Sequence, residues 1–210
     1  MIVSRHFSGM TSCAILIPAA GASRRMGDRD KLLEPVFGEP ILRRVVKRAQ
    51  ATGALVIVTV PALDHPRMAA LKGVDVVTLP VPDAATGMAA SFRVAQAELP
   101  KSIQSLLIAL PDMPDITGED MALMLNAFTA FPDQPILRAA TEDGRPGHPV
   151  LLPNWCFKVL SKLEGDTGAK SILKAQANRV ALLPLCDERA IRDLDTPENW
   201  AAWRKANPDA

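Results

Sequence analysis

Two rhythms alternate along this chain: short continuous apolar runs, and stretches where apolar residues return every three or four positions. CAILIPAA (13–20) carries β-branched residues, stops at Gly21 and predicts a buried strand. EPILRRVVKRAQATG (39–53) sets Ile41, Leu42, Val45, Val46 and Ala49 on one face and Arg and Lys opposite. That is an amphipathic helix with Pro40 in its first turn and Gly53 at its end. ALVIVTV (54–60) predicts a second strand, residues 66–72 a short helix, and VDVVTL (74–79) a third strand. TGMAASFRVAQAEL (86–99) reads as a helix capped by Thr86, with Met88, Phe92 and Ala95 on its apolar side. QSLLIAL (104–110) is a fourth strand, and Met121, Met124, Leu125 and Phe128 mark the inner face of a helix over 118–130.

Strand and helix alternating at this spacing predict βαβ units, hence an α/β fold with a mostly parallel sheet covered on both faces. Beyond residue 132 the rhythm loosens into PILRAA, a Gly/Pro-rich GRPGHPVLLP, helices near 154–163 and 168–177, and RVALLPL. TPENWAAWRKA (196–206) has a capping Thr and an early Pro, and predicts a closing helix. No internal repeat or low-complexity linker interrupts the chain, and its 210 residues predict one domain.

Composition narrows the function classes. The 24 Lys and Arg against 23 Asp and Glu give a net charge of +1, which argues against attachment to nucleic acid by bulk charge. Cys13, Cys156 and Cys186 are far apart, odd in number and form no CxxC pair, so neither a zinc site nor a disulfide framework is expected. No apolar run approaches the ~20 residues of a membrane span, and the first residues lack the apolar segment of a signal peptide. The expected address is the cytoplasm.

Three segments fall at predicted strand exits, where open parallel sheets bind ligands. PAAGASRRMGDRDK (18–31) begins with small residues that let backbone approach a ligand, then adds Arg24, Arg25 and Lys31. Amide donors, forked guanidinium groups and a point charge suit a triphosphate, although a solvated turn with incidental basic residues has the same composition. The loop matches neither GxxxxGK[ST] nor GxGxxG. In LLIALPDMPDI (106–116) a buried strand delivers Asp112 into a turn between Pro111 and Pro114, a place for a Mg²⁺ ligand or simply for a turn-forming Asp. Asp115 lies beyond the second proline. PVPDAATGMAAS (80–91) ends at a helix start, where Ala89, Ala90 and Ser91 leave room for a flat base or merely cap a helix.

Taken in order, LIPAAGASRRMGDRDKLL, TGMAASF, LPDMPDI, GRPGHPVLL, GDTGAKSIL and DLDTPENW make the chain resemble the molybdenum cofactor cytidylyltransferases and their guanylyltransferase relatives, the MobA-like nucleotidyltransferases. These strings span roughly residues 14–203. The resemblance implies a three-layer Rossmann-like nucleotidyltransferase fold over residues 1–210, with 1–12 as a flexible extension. It implies CMP transfer from CTP to the terminal phosphate of molybdopterin, with Mg²⁺ as cofactor and pyrophosphate released. Carried across, Ala19, Ala20, Gly21, Met88 and Ser91 contact the nucleotide, and Arg25 and Lys31 neutralise its phosphates. Asp112 becomes the main metal ligand and Asp195 the second, with Asp193 as the fallback. His148 lies on the acceptor side or is a polar cap on a turn, and Gly165, Asp166 and Lys170 form a further acceptor loop. Ala-Ala-Gly at 19–21 resembles the cytidine-using branch, whereas guanylyl-type relatives usually read Ala-Gly-Gly. Pro18 and the Val-Phe-Gly at 36–38 depart from the family pattern and put the acceptor in question. The alternatives are GTP as donor, a sugar or other small phosphate as acceptor, or a nucleotide-binding cofactor chaperone without turnover. A molybdoenzyme or its chaperone is the expected protein partner; no nucleic acid and no membrane is expected.

Overall fold

In a computed structural model of the chain, residues 12–165 and 168–209 are described. The expected extension at 1–12 therefore lies outside them, apart from Ser12. Each predicted strand of the first half forms: β1 (Cys13–Pro18), β4 (Leu55–Val60), β5 (Val77–Pro80) and β6 (Ser105–Ile108). A two-stranded ribbon, β2 (Pro35–Val36) with β3 (Glu39–Pro40), precedes helix α1 (Ile41–Gln50). The second half supplies β7 (Ile136–Ala140), β8 (Pro146–Pro153) and β9 (Val180–Pro184).

These seven longer strands make one sheet in the order β5-β4-β1-β6-β8-β7-β9. The first four are mutually parallel, β8 runs antiparallel to both its neighbours, and β9 is parallel to β7. Successive side chains of a strand point to opposite faces. Ile15 and Ile17 accordingly join a core with α1, α4 (Gly118–Ala130) and α7 (Pro197–Ala206), while Ala14 and Leu16 join one with α3 (Met88–Glu98), α5 (Phe157–Leu160) and α6 (Lys170–Ala175). The result is three layers, helix, sheet and helix, and burial on both faces explains why β1 reads as an unbroken apolar run.

Three local expectations change. Thr86 does not cap α3: the cap position is Gly87 at φ 107°, and the Thr86 hydroxyl instead donates to Asp83 O at 2.8 Å. Glycine holds that left-handed backbone without strain, and Thr86 ends a short 3-10 turn (Ala84–Thr86). The helix expected at 154–163 is one α-turn, α5, after a 3-10 turn at Asn154–Cys156. Val74–Val76 fall outside β5, and the helix expected at 66–72 contracts to α2 (Arg67–Ala70). The closing helix forms as read, with Thr196 accepting from Asn199 N and Pro197 in its first turn. Among the described residues no helix is long and apolar enough to cross a membrane.

Parallel pairing of β1 with β6 brings two distant loops together. Both strands run the same way side by side, so the loop after Pro18 and the turn after Ile108 leave the sheet at the same edge.

Candidate active site

At that edge four charged side chains from three distant segments meet. Lys31 Nζ donates to Asp112 Oδ2 and to Asp195 Oδ1, each at 2.5 Å, and Arg25 Nη1 donates to Asp195 Oδ2 at 2.5 Å. The first loop supplies Arg25 and Lys31, the turn after β6 supplies Asp112, and the segment before α7 supplies Asp195. One backbone bond sets the last of these in place: Leu194 N–H donates to Asp112 O at 2.9 Å. Trp200, fully buried in α7, donates from Nε1 to Leu194 O at 3.2 Å and anchors the segment from its other side.

Burial disfavours the Lys31 cation, but Asp112 and Asp195 together outweigh it and hold its pKa above the ordinary lysine value. Burial likewise opposes ionisation of Asp195, yet Lys31, Arg25 and a hydrogen bond with Asp193 bring its pKa down. Asp193 is pushed up, by burial first and then by the neighbouring Asp195 and Asp112 carboxyls. Three carboxyl groups and two cations thus share a small volume, with Arg25 exposed and Asp112 largely covered.

Asp112 Oδ1 is buried and meets no hydrogen-bond partner among the described residues. A buried carboxylate oxygen without a partner is costly in an isolated chain and useful beside a hard cation. With Asp195 opposite, the donor set suits a divalent ion that oxygen ligands prefer. Among the described residues no three acidic, His or Cys side chains form a ready-made metal cage; Lys31 stands between the two carboxylates instead.

The first loop is held from behind by a residue that carried no signal in the sequence. Arg67, at the start of α2 and only 2% exposed, donates from Nε and Nη2 to the two oxygens of Asp30 at 2.7 and 2.8 Å. Its Nη1 reaches Ala19 O at 2.6 Å and its Nη2 also reaches Ser23 Oγ at 3.1 Å. Ser23 Oγ in turn donates to Asp30 Oδ1, and Leu32 N–H to the same oxygen. Asp30 and Arg67 therefore clamp both ends of the loop that carries Arg25, and Asp30 immediately precedes Lys31 in the chain. Arg67 and its partners lie 37 to 48 residues apart in sequence, too far for any local pattern to register.

The remaining candidates divide. Ala20 packs with Val81 and Ala90, so the loop touches the first turn of α3, where Ser91 is buried and Met88 is exposed. A Cβ on Gly21 would meet nothing within 4 Å, so its smallness answers no packing demand of the chain itself. The Ala19 N–H is not free for an anion: it donates to Thr59 O at 2.9 Å, continuing the β1–β4 ladder. Gly168 packs beside Met88 and Phe92, a Cβ there falling 3.3 Å from Met88 Sδ, which joins this part of the chain to the start of α3. Gly165 and Thr86 border a cleft of about 260 Å³ nearby, Lys170 opens α6, and Asp166 lies outside the described residues.

The charges that act on His148 are Arg138 and Lys170 and not the four at the sheet edge. Burial first, then Arg138 and Lys170, push its pKa down to about 4, so the imidazole is neutral at pH 7, and its Nδ1 has no partner among the described residues. Its backbone N–H donates to Ala190 O at 2.7 Å, and a Cβ on Gly147 would fall 1.8 Å from the same oxygen. The GRPGH stretch thus packs against the strap leading to Asp195. Asp115 turns away: it accepts from Arg192 Nη1 at 2.6 Å and from Trp203 Nε1 at 2.9 Å.

Open α/β sheets bind their ligands at the carboxyl edge, and here that edge gathers two basic groups against two carboxylates. Residues 15–180 match the family described as the MobA-like NTP transferase domain, and the chain belongs to that family; it is a nucleotidyltransferase. It is 29% identical over 203 residues to the purine catabolism protein PucB of Bacillus subtilis, covering 90% of this chain and 94% of PucB. Among solved structures it is similar to Rv0371c of Mycobacterium tuberculosis H37Rv, with a TM-score of 0.80, 23% identity, and coverage of 94% of this chain and 100% of that one. The same protein in complex with manganese superposes at 0.75, with 23% identity and 93% and 100% of the two chains covered. A CMP:2-keto-3-deoxy-manno-octonic acid synthetase complexed with CTP superposes at 0.72, at 15% identity over 94% of this chain and 99% of that one.

Proposed function

We propose that the enzyme transfers CMP from CTP to the terminal phosphate of molybdopterin, using Mg²⁺ and releasing pyrophosphate. The observation that carries this reading is the meeting of Arg25, Lys31, Asp112 and Asp195 at one edge of the sheet. An oxygen of the acceptor phosphate forms a bond to the α-phosphorus of the triphosphate. The bond from that phosphorus to the bridging oxygen breaks, and its electron pair leaves with pyrophosphate. The attacking oxygen is already anionic, so no general base is needed, and the protein contributes alignment and charge neutralisation.

Arg25, exposed at the rim, and Lys31, between the carboxylates, are the groups that meet the triphosphate. Asp112 with Asp195 would hold the Mg²⁺, Asp193 standing by, and the bound ion supplies charge neutralisation on the polyphosphate. Ala19, Ala20 and Gly21 pass beneath the nucleotide, and the small residues at the head of α3 with Met88 and Ser91 receive its base. Use of a divalent metal and of CTP is also in keeping with the manganese and CTP complexes of similarly folded proteins. His148 and the 165–170 stretch belong to the acceptor side. A molybdoenzyme or its chaperone is the recipient, and the cytoplasm is the compartment.

The test supplies CTP, GTP, ATP and UTP in parallel with Mg²⁺ and measures pyrophosphate, with molybdopterin present or absent. Release with CTP that depends on molybdopterin is the expected result. Release with a different nucleotide, or with a sugar phosphate and not with molybdopterin, overturns the substrate assignment while leaving the chemistry. CTP binding without pyrophosphate under any acceptor overturns the catalytic reading.

A further inference from the structure

On the α1–α4–α7 face a second cleft, of about 330 Å³, lies between α1, the turn after Asp112 and α7. Four arginines border it, and two of them are electrostatically satisfied. Arg192 pairs with Asp115 at 2.6 Å and Glu188 at 3.4 Å, and Arg189 with Asp120 at 3.4 Å and Asp187 at 4.0 Å.

Arg44 and Arg48 are different. They stand one helical turn apart on α1, where like charges repel. Arg48 directs Nη1 at two carbonyl oxygens, Pro114 O at 2.6 Å and Ile116 O at 2.7 Å, which order the side chain but bring no negative charge. Burial and then the neighbouring Arg44 cation lower its pKa, and Asp115, Asp120 and Glu119 act against this more weakly. Arg44 Cζ lies over the Phe37 ring, 4.4 Å from its centroid, and its buried Nε has no hydrogen-bond partner among the described residues. Neither guanidinium forms an ion pair among the described residues. A guanidinium placed over a ring keeps its terminal N–H groups for a forked contact with an oxyanion, and Phe37 with Trp203, edge to face at 6.5 Å, walls the same cleft.

We propose that this cleft binds a small-molecule oxyanion, a phosphate or carboxylate group, between Arg44 and Arg48. The ligand supplies the direct ionic contact that this pair lacks, because Asp115 and Asp187, which also border the cleft, are engaged by Arg192 and Arg189. It also bears on the catalytic edge, because Arg48 grips the carbonyls of Pro114 and Ile116 in the turn that begins at Asp112. The site is separate from the four charged residues at the sheet edge and does not depend on which nucleotide or acceptor they serve.

Calorimetric titration of the full chain with inorganic phosphate tests it, using Lys31→Ala to weaken phosphate binding at the sheet edge. Lys31→Ala is expected to retain a phosphate site, and adding Arg44→Ala to weaken that site by about tenfold or more, the scale of one charge-assisted contact. Arg44→Lys, which keeps the charge but not the fork, should fall between. The Arg44 side chain makes no hydrogen bond among the described residues, and its truncation trades the Phe37 contact for relief of repulsion with Arg48, so Arg44→Ala alone should melt close to wild type and bind phosphate at this site about tenfold or more weakly. Citrate binding with the same dependence on Arg44 supports the site and assigns it to carboxylates. Phosphate binding that vanishes with Lys31→Ala, or that ignores Arg44→Ala, overturns the proposal.

Discussion

Replacing Arg67 with alanine removes the tie between the first loop and α2. Four hydrogen bonds go at once: two to Asp30, one to Ala19 O and one to Ser23 Oγ. Asp30 remains as a half-buried carboxylate whose pKa is held below its usual value, against burial, chiefly by Arg67. Removing one partner of such a buried pair costs about 3–5 kcal/mol. In a chain of this size that corresponds to a fall in Tm of roughly 6–20 °C. Differential scanning calorimetry measures it directly, and a double-mutant cycle with Asp30→Asn isolates the pair from the cavity left by truncation. The same loop carries Arg25 and leads into Lys31, so KM for the nucleotide should rise in Arg67→Lys, which retains charge and folds better but cannot hold three partners. An Arg67→Ala enzyme that melts within about 2 °C of wild type, by this scale less than about 1 kcal/mol, refutes the clamp. So does a negligible coupling energy with Asp30. The Asp30 contribution is present above pH 3.8 and is lost as pH falls through its lowered value, so the gap between wild type and Arg67→Ala should narrow in strong acid.

Asp112→Ala should lower the rate of pyrophosphate release about 10²–10³-fold, the usual cost of one electrostatic clamp, with the fold retained by circular dichroism; undiminished turnover would discard the assignment. Lys31→Ala should leave Asp112 and Asp195 facing each other, lowering Tm without metal and making added Mn²⁺ raise Tm more than it does in wild type; equal shifts in the two proteins would mean that Lys31 and the cation do not share these carboxylates. His148 is neutral in the fold down to about pH 4, whereas the unfolded chain takes up the proton near 6.5, so stability is whole above that range and drains away as pH falls through it. His148→Asn should shrink the stability difference between pH 7.5 and pH 4.5 by about 2 kcal/mol, read by urea unfolding at both pH values; an unchanged difference would show that the imidazole is not buried.

The sequence disclosed most where physics acts locally. Ile15 to Ile17, Leu55 to Val60 and Leu106 to Ile108 are buried on both faces, and a continuous apolar run is the direct imprint of that burial. Strand spacing then implied parallel order, and with it the shared edge for Lys31 and Asp112. What local pattern could not carry is the return of the chain: β8 reverses direction between β6 and β7, and nothing in GRPGHPVLLP announces it. Arg67 was equally silent, since Pro66–Arg67–Met68 looks like any helix start until Asp30 is brought beneath it. Asp115, set beyond Pro114, serves Arg192 and Trp203 on another face, so two acids three residues apart in one turn part company in the fold. Thr86 looked the better cap by residue type, but the left-handed backbone at Gly87 decided the boundary.

The single bond from Leu194 to Asp112 makes the tail of the protein a keystone. Before that stretch docks, the sheet can stand with Lys31 gripping one carboxylate and Arg25 gripping none. The charged edge is therefore complete only with that stretch in place. A molecule nicked between Leu185 and Leu194 would keep most of its architecture yet lose the acid that completes its working edge.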